Sequence, residues 1–153
     1  MKRLLTLFLI PLLLLSLFTS ASQKTDKRQS PLIDSLLTVL KTAKDTTEIN
    51  TLNALSKQCS AIARFENAMH YAIQAKQKAE KQNFKKGIAS AYTNIGVVHW
   101  NKSDFDLALD NYFKALKINE QIKNKKGKAI CYNNIGLVYW SRGNYEKAVE
   151  NIL

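Results

Sequence analysis

KKGIASAYTNIGVVHWNKSDFDLALDNYF, the stretch Lys85–Phe113, returns 40 residues later as Lys125–Leu153, KKGKAICYNNIGLVYWSRGNYEKAVENIL. Twelve of the 29 aligned positions are identical. A fixed period of this length predicts stacked supersecondary units, because each unit buries its apolar face only against a neighbour. Stacked units form extended surfaces rather than closed pockets. The repeat therefore favours a binding protein over an enzyme.

A weaker copy of the same pattern precedes these two. Positions in the first copy align with those in the second as Leu52 with Tyr92, Leu55 with Ile95, Ser56 with Gly96 and Cys59 with His99. The three copies predict helix pairs at about 47–61 with 65–82, 86–101 with 104–122, and 126–141 with 144–153. No stretch alternates with period two, so we expect an all-α fold. Asp104 and Asn144 are predicted to be helix N-caps.

One further helix is predicted before the repeats. Ser30-Pro31 is typical of a helix start, and apolar residues then recur at helical spacing up to Ala43. This pattern predicts an amphipathic helix over about Leu32–Lys44. Asp45 and Glu48 have the spacing of a capping pair, which predicts the start of the next helix.

The first residues of the chain have the layout of a targeting segment. Lys2 and Arg3 precede the uncharged, mostly apolar run Leu4–Phe18, and small residues follow it. This layout predicts a signal peptide over residues 1–22, and an uncleaved membrane anchor is the alternative. We therefore expect export to the periplasm or another extracytoplasmic location, with or without membrane anchoring.

These features predict six segments along the chain. They are the signal peptide or anchor at 1–22, a linker at 23–31, the N-terminal helix at 32–46, a degenerate repeat at 47–86, a second repeat at 87–126 and a third at 127–153. The third repeat stops within its second predicted helix, so we expect the chain to be a piece of a longer array.

The chain is strongly basic, with a formal net charge of +11. Lysines are densest in Lys76–Lys86 and Lys114–Lys128. We interpret both stretches as helix ends, where cations interact well with the helix dipole. Attraction to an anionic membrane or polymer is the alternative. No nucleic-acid partner is expected, because the chain has no recognisable base-stacking or groove-reading element.

Few residues of the sequence suggest a catalytic, metal-binding or redox role. Cys59 and Cys131 lie in the first helices of units one and three, too far apart for a disulfide, and we expect both in the core. His99 is also expected in the core, and His70 stands alone. No set of side chains has metal-ligand spacing, and there is no glycine-rich phosphate loop. No cofactor, metal or catalytic residue is predicted.

The repeat pattern resembles the tetratricopeptide repeat family. Unit two reads Tyr92-x-x-Ile95-Gly96-x-x-His99 and then Ala108-x-x-x-Tyr112, and unit three repeats this order. The long, 40-residue form resembles the repeats of spindle-orientation adaptors and kinesin light chains. The resemblance implies a right-handed α-solenoid of helix hairpins. It also implies that the two helices of each pair cross at small residues, namely Ser56 with Ala68, Gly96 with Ala108 and Gly136 with Ala148.

In this family the first helices line a concave groove for a protein or peptide. Carried over by position, the candidate ligand-binding residues are Thr93, Asn94, Val97, Trp100, Asn101, Asn133, Asn134, Leu137 and Trp140. Asn94 and Asn134 either grip a peptide backbone or set the stacking of the helices. Trp100 and Trp140 either anchor a partner or belong to the core. Lys57 is the predicted basic groove residue in unit one.

Two functions remain open at this stage. The first is a non-catalytic scaffold in the cell envelope, with self-association through its open C-terminal repeat edge as a further expectation. The second follows from another resemblance, to the sensor regions of membrane-anchored bacterial histidine kinases and regulators. The residues that carry it are Ile33-Asp34-Ser35-Leu36-Leu37, then Asp45-Thr46-Thr47 and Leu52-Asn53-Ala54-Leu55-Ser56. That resemblance implies an input fragment whose output domain is not in this chain.

Overall fold

The computed structural model describes residues 30–152, without the side chain of Ile152, and these residues form seven helices and no strand. The helices are α1 Pro31–Leu40, α2 Asp45–Ala61, α3 Phe65–Lys81, α4 Lys85–Asn101, α5 Phe105–Gln121, α6 Lys125–Ser141 and α7 Tyr145–Ile152. The predicted all-α fold is confirmed. The predicted signal peptide and nearly all of the predicted linker lie outside the described residues.

The 40-residue period follows from the helix lengths. Helices α2 to α6 each have 17 residues, and three residues separate each helix from the next. Two helices and two turns therefore make 40 residues. The helices alternate in direction, so α2, α4 and α6 are the first helices of the three units, and α3, α5 and α7 are the second.

All five turns after α2 have the same geometry. The middle residue of each has a left-handed backbone, with φ between 52° and 73°, at Ala63, Asn83, Ser103, Lys123 and Gly143. The residue after it donates to a carbonyl five positions earlier, as in Arg64 N to Cys59 O at 2.8 Å. This is the Schellman arrangement, which satisfies the last carbonyls of the helix. Four of the five turns achieve it without glycine.

The predicted helix caps are only partly correct. Asn144 Oδ1 accepts from Lys147 N at 3.2 Å, so its cap is confirmed. Asp104 makes no side-chain cap bond, because its carboxylate faces His99 Nδ1 at 3.3 Å. The prediction that Asp45 and Glu48 form a capping pair is wrong. Asp45 has φ 52°, and the Glu48 carboxylate instead pairs with Lys78 of α3 at 3.0 Å.

The N-terminal helix α1 is shorter than predicted, since it ends at Leu40 rather than Lys44. A turn replaces its last residues: Lys41 N and Thr42 N bond three positions back, and Thr42 Oγ1 approaches Val39 O at 3.4 Å. Ile33 of α1 is buried in the same apolar cluster as Leu55 and Cys59. The helix therefore contributes to the core of the first unit.

Small residues let the helices of a pair approach closely. Ser56 Oγ donates to Ala68 O at 2.7 Å across the first pair. In the second pair, a Cβ added to Gly96 would lie 2.5 Å from Tyr112 Cε1. The six residues predicted at the crossings are all buried, namely Ser56, Ala68, Gly96, Ala108, Gly136 and Ala148. The two helices of each pair can therefore approach closely where they cross, because the residues there are small.

Cys59 and Cys131 are buried, as predicted, and desolvation raises the pKa of both thiols. His99 is not a core residue, because its imidazole lies at the turn beside Asp104 and stays partly exposed. His70 is exposed and bonds to Gln74 at 2.8 Å. Within residues 30–152 no helix is long and apolar enough to cross a membrane.

Candidate functional site: a cleft across three helices

The first helices of the three units lie side by side and form one wall of the array. The side chains that face outward from this wall surround an open cleft of about 720 Å³. Its lining residues are Asn53, Ala54, Lys57, Ser60, Ala61, Ser90, Thr93, Asn94, Val97, Asn101, Ile130 and Asn134. Most are small or carry an uncharged polar group, yet the surface that the cleft exposes is mostly apolar.

Five of the nine predicted binding residues line this cleft: Thr93, Asn94, Val97, Asn101 and Asn134. The other four lie outside it. Trp100 packs against the apolar cluster between α4, α5 and α6. Asn133, Leu137 and Trp140 are exposed on α6. A role for these four in binding a partner stays a prediction.

Asn94 is held by the preceding unit. Its Nδ2 lies 3.0 Å from Asn53 O and 3.0 Å from Asn53 Oδ1. Asn53 in turn donates to Ile49 O at 3.2 Å and to Gly87 O at 3.3 Å. This chain of bonds ties α2 to α4, so the stacking role that the sequence left open applies to Asn94. Only the Asn94 amide oxygen remains for a ligand.

Asn53 was not among the residues singled out for this role. The 40-residue register aligns it with Thr93, whose hydroxyl bonds within its own helix to Ala89 O at 3.0 Å. The link between Asn53 and Asn94 spans 41 residues and does not recur between units two and three. A repeat alignment therefore conceals it. The available signal in the sequence was the short amide side chain at position 53.

Two polar groups beside the cleft lack partners. The Asn134 amide makes no hydrogen bond to any other residue that the structure describes. Ser60 Oγ is buried without a partner in residues 30–152. Buried polar groups are nearly always hydrogen-bonded in folded proteins.

The lining of the cleft carries very little charge. Lys57 is the one charged residue in its lining. No carboxylate within residues 30–152 lies at ion-pair distance from it. Asn101 Nδ2 bonds to Val97 O at 2.8 Å, which leaves the Asn101 amide oxygen facing outward as an acceptor. The cleft thus offers the amide oxygens of Asn94 and Asn101, the complete amide of Asn134 and one cation, Lys57.

The two tryptophans have different surroundings. Trp100 Nε1 is 3.4 Å from Ser141 Oγ of the next first helix, and its ring is partly buried. Trp140 is 60% exposed and meets Tyr145 edge-on at 4.9 Å. The face of unit two that unit three covers includes Trp100, Phe105 and Leu109. Its counterpart on unit three is uncovered, with Tyr145 57% and Val149 51% exposed.

The lysine-rich stretches are not simply helix ends. Lys78 and Lys81 do lie in the last turn of α3. Lys85 and Lys86 instead begin α4, and Lys125 and Lys126 begin α6, where the first turn holds no acidic residue. Cations at a helix N-terminus oppose the dipole. The dipole explanation is therefore wrong for these four residues.

Helix hairpins stacked in register, with a cleft across their first helices, define a helical-repeat solenoid. Residues 87–151 match the tetratricopeptide repeat family. The fold is similar to the crystal structure of BtubC (BKLC) from P. vanneervenii, with a TM-score of 0.63 and 21% sequence identity. That likeness covers 78% of this chain and 51% of the other, so the chain spans about half the length of that protein. No curated protein matches the chain.

Proposed function

We propose that the chain is a non-catalytic scaffold that holds a protein or peptide partner in the cleft between α2, α4 and α6. The observation that carries this proposal is the cleft itself, which crosses three first helices and is lined mainly by small and uncharged polar side chains. The repeat family that residues 87–151 match mediates protein–protein interactions. Repeat arrays use such continuous concave surfaces for binding.

The lining chemistry suits an extended peptide. A peptide in extended form needs partners for its backbone N–H and C=O groups. Asn134 offers both a donor and an acceptor, and Asn94 and Asn101 each offer an amide oxygen. Val97 and Ile130 add apolar contact, and Lys57 favours an acidic group. Recognition through amides is tolerant of sequence, so we expect the backbone to supply most of the hydrogen bonds.

The proposal is tested with peptides selected on the folded protein from a display library. Their dissociation constants are measured by fluorescence anisotropy against wild type, Asn134→Ala and the control Asn67→Ala, which changes an exposed residue of α3. Asn134→Ala should weaken binding by about tenfold or more, since one buried hydrogen bond contributes roughly 1–2 kcal/mol. Equal affinity for all three proteins would place the peptide elsewhere.

We also propose that the chain works outside the cytoplasm. Support comes from the amino-acid sequence of residues 1–22, which lie outside the described residues. A fusion of residues 1–40 to alkaline phosphatase tests this, because that enzyme is active only after export. An inactive fusion would argue against the location.

The alternative function is the input part of a larger signalling protein. It rests on the resemblance of residues 33–37, 45–47 and 52–56 to sensor regions. Sequencing of the gene beyond the codon for residue 153 decides between the two functions. A membrane span followed by a kinase core selects the sensor, and further repeats followed by a stop codon select the scaffold.

A further inference from the structure

The two edges of the array differ sharply in charge. One edge is formed by the turns α1–α2, α3–α4 and α5–α6, and the other by the turns α2–α3, α4–α5 and α6–α7. Residues 41–46, 81–86 and 121–126, here called the basic edge, hold eight lysines and one aspartate, a net charge of +7. Residues 61–66, 101–106 and 141–146, called the opposite edge, hold three cations and four acids, a net charge of −1.

The three turns of the basic edge lie next to one another. The start of α4 packs on the start of α2: a Cβ on Gly87 would lie 2.7 Å from Ile49 Cγ2. The ends of α4 and α6 meet at the other edge, where Trp100 Nε1 lies 3.4 Å from Ser141 Oγ. The first helices therefore run side by side in the same direction, and the tips of their preceding turns form a row.

Charges on the opposite edge are paired between units. Lys102 lies 3.2 Å from Glu66, and Arg142 lies 2.5 Å from Asp106. These are the same two repeat positions, 40 residues apart. On the basic edge, by contrast, none of the eight lysines forms an ion pair with any residue in 30–152. All eight are exposed: Lys41, Lys44, Lys81, Lys85, Lys86, Lys123, Lys125 and Lys126.

Helix stability does not account for half of these lysines, the four that begin α4 and α6. Helices α2, α3, α5 and α7 each have an acidic residue in the first turn, which suits the positive end of the dipole. Helices α4 and α6 have two lysines there and no acid. The basic edge therefore holds four positive charges, at the starts of α4 and α6, that oppose the helix dipoles, and an anionic partner would neutralise them.

We propose that the basic edge docks on the surface of an anionic phospholipid bilayer. Clusters of about four to eight basic residues bind anionic lipid head groups, and a row of exposed turn tips fits a flat surface better than a groove does. Phe84 is the one aromatic residue in the three turn segments, and it packs towards Gly87, so the edge offers no ring on which bases could stack. The sequence of residues 1–22 is itself of the membrane-targeting kind.

The test uses the full chain and vesicles of phosphatidylcholine with and without phosphatidylglycerol. The apolar run Leu4–Phe18 contributes to binding of both vesicles, so the ratio of the two partition coefficients isolates the anionic lipid. The edge variant carries Lys85→Gln, Lys86→Gln, Lys125→Gln and Lys126→Gln. The control variant carries Lys102→Gln, Lys114→Gln, Lys117→Gln and Lys147→Gln, which remove the same charge from outside the basic edge and the cleft.

Wild type and the control should prefer the anionic vesicles by at least about tenfold, and about 0.5 M salt should remove the preference. The edge variant should lose most of it while keeping or raising its melting temperature. Equal loss in both variants would reduce the effect to net charge and overturn the proposal. Tighter binding of single-stranded RNA than of anionic vesicles, lost only in the edge variant, would assign the edge to nucleic acid instead.

Discussion

The Asn94 amide nitrogen lies 3.0 Å from both the backbone oxygen and the side-chain oxygen of Asn53. Asn134, which occupies the same repeat position one unit later, has no such partner among the described residues. Two asparagines that look equivalent in the sequence therefore differ in role. Asn94 joins units one and two, and Asn134 leaves its full hydrogen-bonding capacity to the cleft.

Replacement of these asparagines should separate stability from binding. We expect Asn94→Ala to lower the free energy of unfolding by about 1–2 kcal/mol, because Asn53 loses a partner in a part-buried site. Asn134→Ala should change stability by less than about 0.5 kcal/mol. Urea denaturation followed by circular dichroism measures both. Equal destabilisation by the two substitutions would contradict the division of roles.

The buried Ser60 hydroxyl leads to a prediction about the stability of the fold. Its oxygen is buried without a partner in the described residues, and an unsatisfied buried polar group destabilises a fold. Ser60→Ala should therefore keep or slightly raise the melting temperature. Thr51→Val is a matched control, because its hydroxyl bonds to Thr47 O at 2.8 Å and its loss should not raise the melting temperature. A melting temperature lowered by Ser60→Ala would show that the hydroxyl stabilises the fold.

The crossing of α4 and α5 depends on Gly96. A methyl group there would lie 2.5 Å from a ring carbon of Tyr112, which is 2% exposed. We expect Gly96→Ala to cost about 1–3 kcal/mol through overpacking. Tyr112→Leu should relieve part of that cost, so the double variant should be more stable than the sum of the single effects predicts. Strict additivity in urea denaturation would exclude this contact as the cause.

The turns offer a reciprocal pair of substitutions. Ala63 has φ 58° and Gly143 has φ 73° in equivalent turns. Because a Cβ is unfavourable in this region, Ala63→Gly should stabilise the protein by about 0.5–1 kcal/mol, and Gly143→Ala should destabilise it by a similar amount. No atom lies within 4 Å of a Cβ built on Gly143, so contacts do not complicate the comparison. Effects of the same sign in thermal melts would contradict it.

The exposed end of unit three should support self-association. Trp140, Tyr145 and Val149 are each more than half exposed, whereas their counterparts in unit two pack against the next unit. We expect concentration-dependent dimers of this chain in sedimentation velocity, weakened at least about tenfold by Trp140→Ser with Tyr145→Ser. Leu107→Ser, which removes an exposed apolar residue from α5, is the control. A strictly monomeric wild type would contradict this prediction.

Much of the architecture could be predicted, because the repeat can be recognised directly in the amino-acid sequence. The predicted helix pairs fall within two residues of the observed bounds, since apolar spacing and turn residues act locally. Predictions based on neighbouring residues were wrong where a side chain instead pairs with a residue that is distant in the sequence. Glu48 had the spacing of a cap, yet Lys78 from the next helix lies close enough to pair with it.

The sequence predicted where the cleft lies but not the contacts that each residue around it makes. A repeat alignment correctly placed Thr93, Val97 and Asn101 in the lining, because residues three and four apart share a helix face. It could not show that Trp100 turns towards the cluster between the helices. Nor could it show which edge of the array keeps its charges unpaired, because pairing depends on which turns become neighbours.

The amino-acid sequence alone predicts a stack of helix pairs with a 40-residue period, because helical periodicity and short turns are properties of neighbouring residues. Which residues at equivalent repeat positions make the same contacts is seen only in the folded chain. Asn94 meets Asn53 and Asn134 meets solvent, since each unit rests on a different neighbour. The physical reason is that hydrogen bonds and ion pairs act over about 3–4 Å, a distance that stacking sets and that a repeat alignment does not contain.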